Sequence, residues 1–154
     1  MYYGISYHNL DAKNRLIIPS RIRDEIARID DPNHVYVSVG NDGCLFLFSV
    51  KQWEEVASRF SSAGYARQKG RMVIRFFFAH SEKLPVDRQG RVVIPPQYKA
   101  LANLDRDVVI VGAADRAEIW DRKAWDAFHE ANFGSFDEVA EQVYGTGPGE
   151  QREE

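Results

Sequence analysis

Short apolar runs broken by polar turns predict strands over much of this chain, with helical spacing taking over between them. Ser6 to Leu10 and Arg15 to Ile18 read as two short strands around a tight connection. If Ala12-Lys13-Asn14 is a three-residue hairpin loop, its third position needs positive φ, which Asn14 tolerates. Asp11 and Arg15 then face each other as the pair that closes the hairpin. Pro19 ends the second strand and suits the start of a helix, and Ile22, Ile26 and Ile29 follow at i, i+4, i+7. Val35–Val39 and Cys44–Phe48 flank Gly40-Asn41-Asp42-Gly43 as a hairpin, and Trp53, Val56, Ala57 and Phe60 make one helix face.

The same order returns further on. Asp11-Ala12-Lys13-Asn14-Arg15-Leu16-Ile17-Ile18-Pro19 is matched by Asp87-Arg88-Gln89-Gly90-Arg91-Val92-Val93-Ile94-Pro95, so Asp, Arg, Ile and Pro keep one offset of 76 residues. Gly90 takes the place of Asn14 and reaches positive φ more easily. Tyr98, Leu101 and Ala102 repeat the helix; Val108–Val111 and Ala117–Trp120 repeat the hairpin; Trp125 and Phe128 repeat the closing helix. Phe48, Lys51 and Trp53 are echoed by Trp120, Lys123 and Trp125. Two segments fall outside the repeat. Ala66 to Phe78 reads as a helix with Met72, Val73, Phe76 and Phe77 on one stripe and Arg67, Arg71 and Arg75 on another. Ser135-x-x-Glu138 reads as a capping box opening a last helix with Phe136, Val139, Ala140 and Val143 on one side.

The chain is therefore an α+β protein of two tandem units: a first repeat over 1–63, a linking helix over 64–79, a second repeat over 80–131 and a C-terminal helix over 132–144. A Gly-Pro-rich acidic tail over 145–154 is expected to be disordered. One unit is too small to bury its own sheet and helix faces, so two halves packed about a pseudo-twofold would share a core. A duplicated surface element with paired positive charges suits a target that is itself repeated.

Charge changes this picture only locally. The net charge of −3 is uneven: residues 137–154 carry −5 and residues 1–136 carry +2, so an anion-binding surface has to be a patch rather than a property of the whole chain. No run approaches the roughly 18 apolar residues of a membrane span, and Met1 to Ser6 lacks the basic start of a signal peptide. Cys44 is the single cysteine, which leaves no intramolecular disulfide and makes a reducing cytosol the expected compartment. His8, His34, His80 and His129 stand apart without metal-ligand spacing, and phosphate-loop and nucleophile-elbow motifs are absent, so neither a metal, a cofactor nor an enzyme is expected. An arginine four residues after each of Asp11 and Asp87 favours a permanently ionised carboxylate over a proton donor.

Taken together, the paired Asp-x-x-x-Arg motifs, Asp42-Gly43-Cys44-Leu45-Phe46-Leu47, Arg75-Phe76-Phe77-Phe78 and Ile94-Pro95-Pro96 resemble the MraZ family, within the wider AbrB-like group of transcriptional regulators. The resemblance covers roughly residues 1–144. It implies two AbrB-like β-α-β units, assembly of several chains into a ring, and binding of double-stranded DNA at short G-rich direct repeats. Those repeats lie upstream of the bacterial division and cell-wall gene cluster, including the regulator's own promoter. The implied compartment is the cytoplasm, in association with the nucleoid.

An exposed hairpin loop can enter the major groove, and Arg15 can place two N–H donors on guanine O6 and N7. Asp11 would hold the guanidinium and Lys13 at the loop tip would meet a phosphate. The second copy offers Asp87, Arg88 and Arg91, with Gly90 allowing close backbone approach. The candidate DNA-binding residues are thus Asp11, Lys13, Asn14, Arg15, Asp87, Arg88, Gly90 and Arg91. The plainer alternative makes both pairs ordinary surface salt bridges. Arg67, Arg71 and Arg75 suit either phosphates or a solvated helix face, whereas Phe76-Phe77-Phe78 and Trp53, Trp120 and Trp125 suit the core or a subunit interface. A different class of function, an AbrB-like interaction scaffold or antitoxin without specific DNA readout, also fits the fold, although the antitoxin form would need a single unit with a toxin-binding arm.

Overall fold

The computed structural model describes residues 1–145; the tail beyond Gly145 lies outside them. The first half runs β1 (Ile5–Asn9), β2 (Arg15–Ile17), α1 (Ser20–Ile29), β3 (His34–Val39), β4 (Leu45–Ser49), α2 (Val50–Ala63) and α3 (Gln68–Ala79). The second runs β5 (Ser81–Pro85), β6 (Arg91–Val93), α4 (Pro96–Leu101), β7 (Asp107–Gly112), β8 (Ala117–Asp121) and α5 (Arg122–Asn132). Asp11–Asn14 and Asp87–Gly90 are the loops between the first two strands of each half.

The strand order reports the duplication. Six antiparallel strands run β1-β7-β8-β4-β3-β5, and β2 pairs with β6 in a separate ribbon. Exchanging each strand for its counterpart in the other half reverses the first order onto itself and maps the ribbon onto itself. That is the signature of a pseudo-twofold, which passes between β4 and β8 and through the ribbon. The two halves are also interleaved, because β1 joins β7 of the second half while β5 joins β3 of the first.

The expected hairpin between the first two strands is corrected by this pairing. The loop does close, with the Asp11 N–H donating to the Arg15 carbonyl at 3.2 Å and the Asn14 N–H to the Asp11 carbonyl at 3.0 Å. Beyond it the strands part, and β2 finds β6 in the register Arg15↔Val93, Leu16↔Val92, Ile17↔Arg91. The physical reason is burial. Leu16, Ile18, Val92 and Ile94 are all sealed from solvent and join one core with Val35, Val37, Leu45, Leu47, Ile110 and Ile119 of the large sheet. A local hairpin would bury one pair of these strands; pairing across the halves buries both against the same sheet. Ile22 and Ile26 of α1 and Tyr98 of α4 complete that layer.

Pro19 and Pro95 sit immediately before their helices in extended conformation, as the sequence predicts, and the Ile22 and Tyr98 N–H groups donate to their carbonyls at 3.0 Å. On the first half's other sheet face, Tyr36 stacks on Trp53 at 4.0 Å and Phe60 meets Phe77 edge to face, bringing α2 and α3 onto β3 and β4. Of the expected aromatic stripe on α3, Phe77 is buried while Met72, Val73 and Phe76 remain exposed.

The described residues from Lys123 onward form a second compact unit. It holds the rest of α5, a turn of 3₁₀ helix at Phe133–Ser135 and α6 (Phe136–Tyr144). Ser135 precedes α6, yet its side chain makes no capping hydrogen bond, so the predicted capping box is not formed; the 3₁₀ turn holds Ser135 outside the extended geometry a cap needs. Trp120 is buried as expected, whereas no residue of α5, Trp125 included, is fully buried.

Candidate nucleic-acid interface

Both Asp-x-x-x-Arg loops fold by one mechanism. The Asp11 Oδ1 accepts the Lys13 and Arg15 backbone N–H groups, each at 2.9 Å, and Oδ2 accepts Nε–H of Arg15. Asp87 repeats this with the N–H groups of Gln89 and Arg91, each at 2.9 Å, and with the Arg91 Nε at 2.8 Å. Each carboxylate thus orders its loop from inside and orients its arginine. The third loop residue takes the left-handed conformation in both, at φ 58° for Asn14 and 77° for Gly90, as the loop geometry predicts.

The electrostatics follow from those bonds. The Arg15 backbone N–H, its side chain and the Lys13 N–H hold the Asp11 carboxyl below the usual aspartate value of 3.8; Arg91 and Gln89 do the same for Asp87. Both acids stay ionised at neutral pH. Because each arginine gives Nε to its aspartate, the Nη1–Nη2 edge is left out of the pair. That edge has the two parallel donors that match the O6 and N7 acceptors of guanine. Arg15 and Arg91 keep 31% and 26% of their side chains accessible.

The loops are tied to the ribbon as well as to themselves. The Ile94 N–H donates to the Asn14 carbonyl and the Ile18 N–H to the Gly90 carbonyl, both at 2.9 Å. Diagonal positions on an antiparallel pair put the Arg15 and Arg91 Cα atoms roughly 7–8 Å apart. Lys13 and Arg88 are exposed at the loop tips, and Asn14 is half-buried.

Gly90 departs from its expected role. It is buried, and the space a side chain would fill there is occupied by the Arg23 guanidinium, so the close approach comes from the chain itself. Arg23 also donates from Nε to the Ile18 carbonyl at 3.0 Å. Its counterpart Lys99 donates from Nζ to Asn14 Oδ1 at 3.1 Å. These two cations, one beside each loop, lie outside the Asp-x-x-x-Arg motifs. The signal was present: Arg23 and Lys99 stand 76 residues apart, the same offset as the motifs.

Cys44 is buried, its thiol donates to the Asn41 carbonyl at 3.1 Å, and burial pushes it up to about 12. Among the described residues no group of three or more His, Cys, Asp or Glu side chains could hold a metal, and no helix is long and apolar enough to cross a membrane. Arg67 and Arg75 are exposed on the linking-helix segment, while Arg71 is half-buried and donates from Nη1 to the Tyr65 carbonyl at 3.0 Å.

A family model described as "MraZ protein, putative antitoxin-like" matches twice, over residues 1–76 and 77–145. The boundary falls inside α3, between Phe76 and Phe77, so most of the linking helix goes with the first copy. Three proteins named transcriptional regulator MraZ illustrate the similarity. That of Mycoplasmoides gallisepticum is 40% identical, that of Pediococcus pentosaceus 37% and that of Desulforamulus reducens 35%, each over 143 residues and 93% of this chain. The match takes in 96% of the Pediococcus protein and 97% of the other two. These relatives are named as regulators, not enzymes. Matched twice by one family model and aligned almost end to end with these relatives, the chain belongs to the MraZ family.

Proposed function

We propose that this protein is a DNA-binding transcriptional regulator that reads short G-rich direct repeats through its two Asp-x-x-x-Arg loops. The observation that carries this reading is the shared wiring of the loops. In each, the aspartate spends one oxygen on the loop backbone and the other on the arginine Nε, which leaves a two-donor edge oriented by a fixed partner. A surface salt bridge formed only for stability has no need of that division, and such pairs contribute little. Lys13, Arg88, Arg23 and Lys99 add cations around the same two arginines and suit phosphate contacts, so the patch is basic although the chain is acidic.

Each subunit reads one repeat weakly, and assembly of several chains into a ring makes later contacts intramolecular, so that avidity supplies the affinity. The exposed apolar residues Met72, Val73 and Phe76 of α3 and Phe136, Val139 and Val143 of α6 are consistent with subunit contacts. Occupying the promoter represses transcription. In this reading the target is the division and cell-wall cluster, including the protein's own promoter, and the compartment is the cytoplasm in association with the nucleoid; the family resemblance supports it.

The test is a gel shift on the sequence upstream of the protein's own gene, at rising salt, with light scattering on the same samples. Phosphate contacts give a steep log–log loss of affinity with salt. Arg15→Ala abolishes specific binding and leaves fold and assembly intact. Deleting one repeat weakens binding by more than its share. Unchanged affinity of Arg15→Ala refutes the role of the loop, and absence of a shift at every salt concentration favours the scaffold or antitoxin reading.

A further inference from the structure

The outward face of the β2–β6 ribbon carries two side chains that the loop chemistry leaves unused. Strand side chains alternate between faces, and directly paired residues share one. Leu16 and Val92 point to the core, at 0% and 1% exposure, so Arg15, Ile17, Arg91 and Val93 share the opposite face. On it Arg15 stands opposite Val93 and Ile17 opposite Arg91. Ile17 and Val93 are 51% and 52% exposed, the same degree at equivalent positions of the two copies. Each half therefore presents one arginine and, two residues on, one β-branched apolar side chain.

The surroundings decide what such a checkerboard fits. Six cations gather at the ribbon and its two loops, Lys13, Arg15, Arg23, Arg88, Arg91 and Lys99, against the two loop carboxylates Asp11 and Asp87, which leaves the face net positive. A second copy of the same face would bring like charges together. A polyanion is complementary, and a two-stranded ribbon is narrow enough for the major groove of duplex DNA. The apolar group on base edges in that groove is the thymine C5-methyl, which lies beside the donors and acceptors that arginine reads.

We propose that Ile17 and Val93 are specificity-determining residues that contact thymine methyl groups within about two base-pair steps of the guanines engaged by Arg15 and Arg91. This rests on the DNA reading above and extends it from guanine to a mixed guanine–thymine pattern. Spacing supports it: arginine and apolar side chains two residues apart on one strand stand roughly 7 Å apart, about two base-pair steps.

The decisive experiment removes the methyl and nothing else. Two duplexes carrying the bound repeat are compared by fluorescence anisotropy, one with thymine and one with deoxyuridine throughout the footprint on both strands. Wild type, the double variant Ile17→Ala/Val93→Ala and Arg15→Ala are titrated on each. Wild type loses roughly fourfold for each contacted methyl removed, whereas the double variant binds both duplexes equally and more weakly than wild type binds thymine DNA. Thermal melts and light scattering run on the same variants, and both are expected to match wild type. Equal wild-type binding to both duplexes overturns the methyl contact, and if Arg15→Ala still abolishes specific binding, the loop reading survives that result. If Arg15→Ala binds as well as wild type, the loop reading fails and this inference with it. A double variant that falls apart into smaller species marks the face as a subunit contact and overturns the proposal.

Discussion

Replacing Arg15 by lysine keeps the charge and removes the geometry. Arg15 gives Nε to Asp11, and its Nη1–Nη2 edge stays outside that pair, where the proposed function has it meet a base. A lysine ammonium has a single nitrogen and no second edge, so holding Asp11 and spanning two acceptors become competing uses. A bidentate arginine–guanine pair contributes about 1–3 kcal/mol to base discrimination. On a duplex with one repeat, Arg15→Lys should therefore lose roughly 5- to 150-fold in its preference for the repeat over scrambled DNA. Binding to scrambled DNA and the salt slope should hold, because the number of cations is unchanged. The assay is anisotropy on both duplexes across a salt series, repeated with 7-deazaguanine in the repeat to delete the N7 acceptor. Wild type should weaken on the modified DNA and Arg15→Lys should be indifferent to it. A lysine variant with wild-type preference, or a wild type blind to 7-deazaguanine, refutes the bidentate argument. Arg91→Lys in the same assay measures whether the second loop also reaches a groove.

Leu16→Ala, beneath the ribbon and fully buried, should destabilise the protein by about 2–5 kcal/mol in chemical denaturation; a cost under about 1 kcal/mol would mean the ribbon is not seated on the core. The Asp11 and Asp87 carboxyls sit below their ordinary value, so the order they give the loops is fully present above the ordinary aspartate range and is lost as pH falls through their lowered values. A carboxyl NMR titration should show both flat from about pH 8 to about pH 5, and an inflection inside that window would contradict the hydrogen-bond wiring. Cys44, with its thiol pushed up by burial, should resist iodoacetamide at neutral pH until the protein is unfolded; rapid labelling of the folded protein would show that the turn between β3 and β4 is open. Phe76→Glu places a charge on the exposed apolar stripe of α3 and should lower the assembly mass in light scattering while the melt of the subunit holds.

Much of this architecture was legible because duplication writes the same local signals twice. Asn14 and Gly90 disclosed the left-handed loop position, Pro19 and Pro95 the helix starts, and Gly40 to Gly43 the hairpin turn, all from chemistry within a few residues. What could not be read was partnership. Nothing in Arg15–Ile17 says that its strand partner lies 76 residues away rather than across the adjoining loop, since both pairings put the same residues in a β-ladder. Sequence separation decides this only through burial of the whole apolar set, and that is a property of the tertiary structure. The same limit hid Arg23 and Lys99. Each lies on a helix whose local pattern gives no reason to connect it with a loop, and each becomes a neighbour of the site only when the ribbon crosses the halves.

That crossing also bears on how one chain can address DNA. If each half had closed its own hairpin, the loops would sit on separate bodies and their arginines could move independently. Pairing β2 with β6 fixes them instead on one ribbon, bonded through the Asn14 and Gly90 carbonyls to the far strand. Two guanidinium groups on a common rigid element lose less freedom on docking than two on separate loops, which favours reading a short base pattern as a unit. The copies are nevertheless unequal. Asn14 with Lys99 on one side and Gly90 with Arg23 on the other give the two loops different chemistry within one backbone design. An asymmetric pair on a pseudo-symmetric ribbon is suited to a directional sequence rather than a palindrome. Direct repeats, each read in one orientation by one subunit, are the arrangement such a surface would address.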